Sequence, residues 1–290
     1  MYHLHISYYV SYISMNIYNV FGFFLVIAYI MQLISGLLLC CYYNPSVLMS
    51  FFSIVYSYIE VIYGYLIKNL HCVWAVIYMF TLFIHLYRGL WLRLLDTDYV
   101  YTVYLIGLGL FLLSMLNGFV GYILNYGQMS YWGYMVICGM MTILGVIEWW
   151  IMEIIWCSGY VIVNRLFSLH YLVGIVIGFG IFFHIFILHS VSSINPFLAT
   201  LGVIISFRLV LMKDFMVLYA ILFWCFFIIW SKGIEVFGNP DNMIPAIIDI
   251  TPTNIIPEIY FCAVYAILRG ISIKILGMIV SLSILSNVII

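Results

Sequence analysis

Six long apolar runs, separated by short polar or proline-bearing stretches, set the pattern of this chain. Segment A covers about Ile17–Tyr43 and stops at Asn44-Pro45. Segment B covers Tyr65–Leu92, segment C Tyr101–Ile123 and segment D Leu166–Leu188 within Asn164–His189. Segment E covers Phe215–Trp230. Segment F covers Ile259–Ile290, but Arg269 and Lys274 interrupt it, so its embedded part is expected from about Ile275. About 20 apolar residues in a helix cross the hydrocarbon core of a bilayer. The runs therefore predict an all-α polytopic membrane protein with six spans. Leu124–Trp156 is too broken by Gly and polar residues for a span, and its Trp and Tyr content suits short helices at a membrane surface. Phe197–Ile205 reads as a further interfacial stretch, and Ser231–Pro257, which holds four of the six prolines, as a loop.

Polar residues inside the spans are the next signal. Segment B carries His71 and His85, fourteen residues apart, and segment D repeats the interval with His170 and His184. Fourteen residues is just under four helical turns, so both members of a pair leave nearly the same face, about 21 Å apart along the axis. That is too far to share one ion. Ionisable groups inside a span are costly and functional by default. The natural ligand set is two bis-histidine haems held between helices. One span separates the two His helices, so they run parallel, and equal depth pairs His71 with His170 and His85 with His184. The same interval separates Gly22 from Gly36 in A and Gly107 from Gly121 in C. Gly36 and Gly121 fall at the level of His71 and His170, Gly22 and Gly107 at that of the other pair. Glycine offers the edge of a flat macrocycle a surface free of side chains, although helix packing alone also selects it.

Composition agrees with the pattern. Of 290 residues, 67% are hydrophobic and 7% charged, and mean hydropathy is +1.23. Soluble domains carry roughly 25% charge. The net charge of −1 predicts no nucleic-acid partner. The N-terminal MYHLHISYYV has neither a basic region nor a small-residue cleavage site, so no signal peptide is expected. Seven scattered cysteines form no C-x-x-C and no C-x-x-C-H, which argues against zinc and covalent haem. Basic residues divide between the two sides and leave orientation open.

Five stretches, QLISGLLL (Gln32–Leu39), HLYRGL (His85–Leu90), GYILNYGQMSYWG (Gly121–Gly133), RLFSLH through HIFILHSVSSINP (Arg165–Pro196) and GNPDN through PEIYFCAVYAILR (Gly238–Arg269), occur in one order along nearly the whole chain. In this the chain resembles the mitochondrial cytochrome b family, the haem-bearing core of quinol–cytochrome c reductase (complex III). It departs from the family at Leu124-Asn125-Tyr126, where Leu-Pro-Trp is usual, at Lys68, where arginine is usual, and in having six spans where the family has eight.

The resemblance implies a four-helix di-haem bundle over residues 1–196, with quinone-site elements, and a C-terminal part, 197–290, with spans E–F and the PEIY loop. It implies two non-covalent haem b groups, one on His71 and His170 and one on His85 and His184. Gly22, Gly36, Gly107 and Gly121 would border them, with Lys68 and Arg88 at their propionates. Glu258 is the implied proton acceptor for quinol oxidation and Tyr260 its neighbour, with Tyr122, Gly133 and Pro257 in the same pocket. Burial beside an apolar pocket raises a carboxylate's pKa and suits it to this task. His189 and Asp214, with Lys213 and Ser193, are the implied quinone-reduction residues. Ubiquinol and ubiquinone are the implied substrates, and the iron–sulfur protein, cytochrome c1 and other complex III subunits the implied partners. A homodimer in lipid at the mitochondrial inner membrane completes the expectation.

Two other classes compete. A haem-b anchor of another quinone-linked oxidoreductase also places histidines in spans, but has no reason to carry PEIY in a proline-rich loop. A transporter with incidental histidines predicts no haem, which an absorption spectrum tests.

Overall fold

In the computed structural model of the chain, residues 10–12, 19–91, 98–142, 161–191, 204–231 and 237–287 are described. Nine α-helices occur among them. The long ones are α1 (Phe21–Cys40), α3 (Gly64–Trp91), α4 (Asp98–Leu124), α6 (Ile162–Val191) and α7 (Phe207–Ser231). These five are long and apolar enough to cross a membrane. Leu33, Ile34 and Leu37 on α1, Phe179, Phe182 and Phe183 on α6, and Met216 and Trp224 on α7 are exposed. Apolar area of this extent is not left facing water on a monomer, and a helix apolar all round faces lipid.

The segments predicted as A–D recur as α1, α3, α4 and α6. Segment E starts earlier than expected, at Phe207. Nothing between Phe207 and Phe215 breaks a helix, and the charges of Arg208, Lys213 and Asp214 do not interrupt backbone hydrogen bonding. Segment F is not one helix. A 3₁₀ turn (Ile259–Phe261) leads into α8 (Cys262–Gly270), and Ile271–Ile273 separates that from α9 (Lys274–Asn287). Gly270, followed by extended Ile271, ends α8. With 14 residues, α9 falls short of the five spans in length.

Two shorter helices flank the bundle. The stretch between A and B folds as α2 (Ser50–Glu60), burying Ser50, Phe51, Ser53 and Ser57. After C comes α5 (Gln128–Met141); the rest of the predicted surface region, 143–156, lies outside the described residues. The chain also has a small β element. Strand β1 (Val10–Tyr12) pairs antiparallel with β2 (Ile204–Ser206), Val10 opposite Ser206. Of the predicted interfacial stretch Phe197–Ile205, only Ile204 and Ile205 are described.

Packing is strongest within two helix pairs, α1 with α3 and α4 with α6. A cluster of Val120, Ile123, Tyr134, Val163 and Leu166 joins α4, α5 and α6. A second cluster joins α1, α3 and α4 through Leu25, Met79, Leu82, Leu108 and Phe111. A third seats α7 against α1 and α3 through Phe24, Ala28, Trp74 and Leu218. Close approach needs small residues where no hydrophobic effect drives helices together. Tyr29 of α1 lies against Gly178 and donates to the Gly174 carbonyl at 2.9 Å, while Leu110 of α4 fills the space at Gly180.

Candidate functional site

The four histidines sit within the two helix pairs, each over a glycine of the partner helix. A Cβ at Gly36 would lie 3.2 Å from His71 Cε1, and one at Gly22 3.1 Å from His85 Cε1. On α4 and α6 the distances are 2.7 Å from Gly121 to His170 Cε1 and 3.1 Å from Gly107 to His184 Cε1. The space that glycine leaves open is thus taken by an imidazole edge. The ring must reach back over a neighbouring backbone, and only a residue without Cβ lets it do so without displacement.

Across the two pairs, the His71 and His170 rings face one another with centroids 6.4 Å apart and planes at 78°. His85 and His184 lie within electrostatic range of each other at the second level. Two imidazole rings at 6.4 Å leave room for one metal ion bound at about 2 Å from each near nitrogen.

Hydrogen bonds decide which ring nitrogen is free at the first level. Ser35 Oγ donates to the Met31 carbonyl at 2.6 Å, so toward His71 it can only accept. His71 Nδ1 lies 2.9 Å from it and therefore carries the proton. His170 Nδ1 donates to the Asn117 carbonyl at 3.1 Å. Both rings are then Nδ1–H tautomers with a bare Nε2, the form a metal ligand requires. The Gln32 amide donates to the His71 carbonyl at 2.6 Å and ties α1 to α3 beside that imidazole. At the second level His184 reaches toward the Val103 backbone of α4, and His85 Nδ1 is buried without a hydrogen-bond partner among the described residues. Ser35, Gln32 and Asn117 escaped the sequence reading as site residues, although Ser35 and Gln32 stand in the QLISGLLL motif. Only contact with another helix reveals their role.

These positions fit haem b. Among the described residues no group of three or more His, Cys, Asp or Glu could hold a bare metal ion. Side chains come in twos, the number a porphyrin-held iron takes from the protein. The Lys68 ammonium lies 5.1 Å over the Tyr58 ring, a cation–π contact near the start of α3. Arg88 lies partly buried one turn beyond His85 and within its electrostatic range.

A separate cavity of about 300 Å³ is lined by Tyr122 of α4, by Phe237–Pro240 and by Ile256–Ile259 and Cys262. Tyr122, Pro257 and Glu258 thus meet as the sequence suggested. Burial pushes the Glu258 carboxyl up to about 7. Tyr260 stands behind this wall: its hydroxyl would lie 3.4 Å from a Cβ at Gly118, and its ring packs on Phe261 at 4.8 Å. Gly133 is on α5 with nothing within 4 Å of a Cβ and is not part of the lining.

The third set is less gathered. His189 is exposed in the last turn of α6. Lys213 and Asp214 lie partly buried on α7, about two turns inside it and not at its start. Ser193 lies outside the described residues. One turn deeper than Asp214, an apolar crevice of about 450 Å³ opens between Val20, Phe21 and Phe24 of the α1 end and Met216, Val217, Ala220, Ile221 and Trp224 of α7.

Comparison with known proteins places this arrangement. The family model described as cytochrome b/b6/petB matches residues 5–192, and that described as cytochrome b (C-terminal)/b6/petD matches 245–290. Cytochrome b of Chondrus crispus is 36% identical over 268 residues, covering 89% of this chain and 68% of the relative. Cytochrome b of Rickettsia typhi is 35% identical over 284 residues, covering 94% and 70%. A solved structure titled "Hyperthermophilic respiratory Complex III" has the same fold, with a TM-score of 0.89, 23% identity and coverage of 97% of this chain and 76% of that one. The chain is an integral membrane protein and belongs to the cytochrome b family of the bc1 complex (complex III).

Proposed function

We propose that the chain carries two haem b groups on His71/His170 and His85/His184 and passes electrons from a quinol-oxidising cavity at Glu258 to a quinone-reducing site at His189 and Asp214. The observation that carries this reading is the seating of four imidazoles, at two levels, each on a glycine of the adjoining helix. When bound, the haems supply one-electron carriers at two depths of the membrane. Everything else is the work of the chain. Ser35 and the Asn117 carbonyl hold the Nδ1 protons and leave Nε2 for iron. Lys68 and Arg88 neutralise propionates, Lys68 by turning from Tyr58.

At the cavity Glu258 takes a quinol proton. A carboxylate titrating near 7 is matched to that task at neutral pH. Pro257 and Ile259 exclude water on either side of it, and Tyr260 braces the wall against Gly118 of α4. Gly133, with open space at its Cβ position, is left outside this cavity. On the other side His189, Asp214, Lys213 and Ser193 deliver protons to the quinone, and the apolar crevice between α1 and α7 accommodates its tail. Proton release and uptake on opposite sides then charge the membrane.

In this reading the chain works in the mitochondrial inner membrane as a homodimer, beside an iron–sulfur protein, cytochrome c1 and further complex III subunits, with ubiquinol and ubiquinone as substrates. Residues 1–196 form the di-haem unit and 197–290 the loop-bearing remainder, with α9 as the start of a sixth span. The deciding experiment is a reduced-minus-oxidised spectrum and haem titration of the purified complex. Two b-type haems per chain are expected, and one or none would overturn the reading.

A further inference from the structure

The wall around Glu258 is fastened to the bundle at one corner, where α4 turns into α5 through Asn125, Tyr126 and Gly127. Tyr126 has a φ of 48°, a left-handed conformation that a bulky L residue adopts only when its surroundings hold it there. A Cβ on Gly127 would collide with Asn242, so loop and corner touch backbone to backbone. Asn125 Nδ2 donates to the Asn242 carbonyl at 2.9 Å, and Ala246 N donates to the Tyr126 carbonyl at 3.2 Å. Ser130 N and Oγ both donate to Asn242 Oδ1 at 2.9 Å.

Gln128 does most. Its backbone N–H donates to the Ile244 carbonyl at 2.9 Å. Its side-chain Nε2 donates to the Ile250 carbonyl at 2.6 Å, and its Oε1 accepts from Ile247 N at 2.7 Å. The side chain is buried, at 7% exposure, with both ends of its amide used. Buried amides satisfied at both ends are costly to break, because the partners are then left unpaired.

The loop is an arch. One foot (Phe237–Pro240) and the other (Ile256–Glu258) line the cavity, and the span between them is what the corner grips. We propose that Asn125 and Gln128 are positioning residues for quinol oxidation: they clamp the 242–250 arch to the head of α5 and so hold Glu258 facing the cavity. The inference rests on the reading of that cavity as the quinol site. Asn125 stands where the resembled family usually has proline, which has no side-chain donor. Proline at that position could not make the bond to Asn242.

The test uses the intact complex carrying Q128L, N125A or, as a control, E258Q. Haem spectra, amide exchange at Ile247, and kcat and KM for a short-tailed quinol are measured. Q128L is expected to keep both haems, lose exchange protection at Ile247 and raise the quinol KM several-fold with a smaller change in kcat. N125A is expected to move KM the same way by less. Unchanged KM in both variants overturns the proposal, as does unaltered exchange at Ile247 in Q128L. If Q128L fails to assemble, N125A, which removes a single bond from a partly buried side chain, decides alone. If E258Q also leaves oxidation intact, the cavity reading itself falls, and the two failures are thereby told apart.

Discussion

The helix pairs that seat the histidines and the loop that carries Glu258 solve the same problem by different means. In the pairs, placement follows from periodicity. A rigid helix repeats its face every fourteen residues, so one contact between α1 and α3 fixes the next, and His71 over Gly36 sets His85 over Gly22. In the loop nothing repeats. The arch that leads to Glu258 is fastened by single hydrogen bonds to residues more than a hundred positions away in sequence, such as Gln128 to Ile250. The first kind of site tolerates little change at any member of the lattice. The second distributes its placement, so single losses there should be graded.

That contrast can be broken most severely at the four histidines. H71L or H170L in the purified complex is expected to lose one haem entirely while the other remains, read as a halved b-haem absorbance. Retention of both haems would remove the bis-histidine assignment.

Next in size is the carboxylate. E258Q is expected to slow quinol oxidation about 10²-fold or more, the usual worth of a positioned general base. In the unsubstituted protein the same step should fall as pH drops through about 7, because Glu258 then carries the proton it must accept. The accompanying stability effect has the opposite sense. The folded chain keeps this group protonated up to about 7, so stability declines as pH rises from the ordinary carboxylate range through 7. A flat pH profile between 5 and 8 would show that another group takes the proton.

The glycine lattice allows a graded test. G121A places a Cβ 2.7 Å from the His170 ring, whereas G36A places one 3.2 Å from His71. Overpacking of this kind costs about 1–3 kcal/mol, and G121A should lose more haem on mild heating than G36A. Equal retention would mean that the α4–α6 pair relaxes more readily than its tight packing implies.

The smallest effect is expected at Ser35. S35A removes the acceptor from His71 Nδ1, weakens the imidazole as a donor to iron and should raise the potential of one haem only. Redox titration reads it, and S35T should restore the original value.

The sequence alone carried the lattice because its code is local: apolar run length reports a span, and a fourteen-residue interval reports a shared face. The levels of the four glycines followed from counting turns. Boundaries failed where the code is weak. Arg208, Lys213 and Asp214 hid the first two turns of α7, whereas Arg269 and Lys274 marked the interruption of segment F, close to where α9 begins at Lys274. Tertiary structure alone decided the partners. That an imidazole edge packs over each glycine, that Ser35 and Asn117 select the ring tautomers, and that Gln128 grips the Glu258 loop all depend on contacts between segments remote in sequence. Such contacts leave no period to read, since a hydrogen bond needs only two groups brought together and not a repeated spacing along the chain.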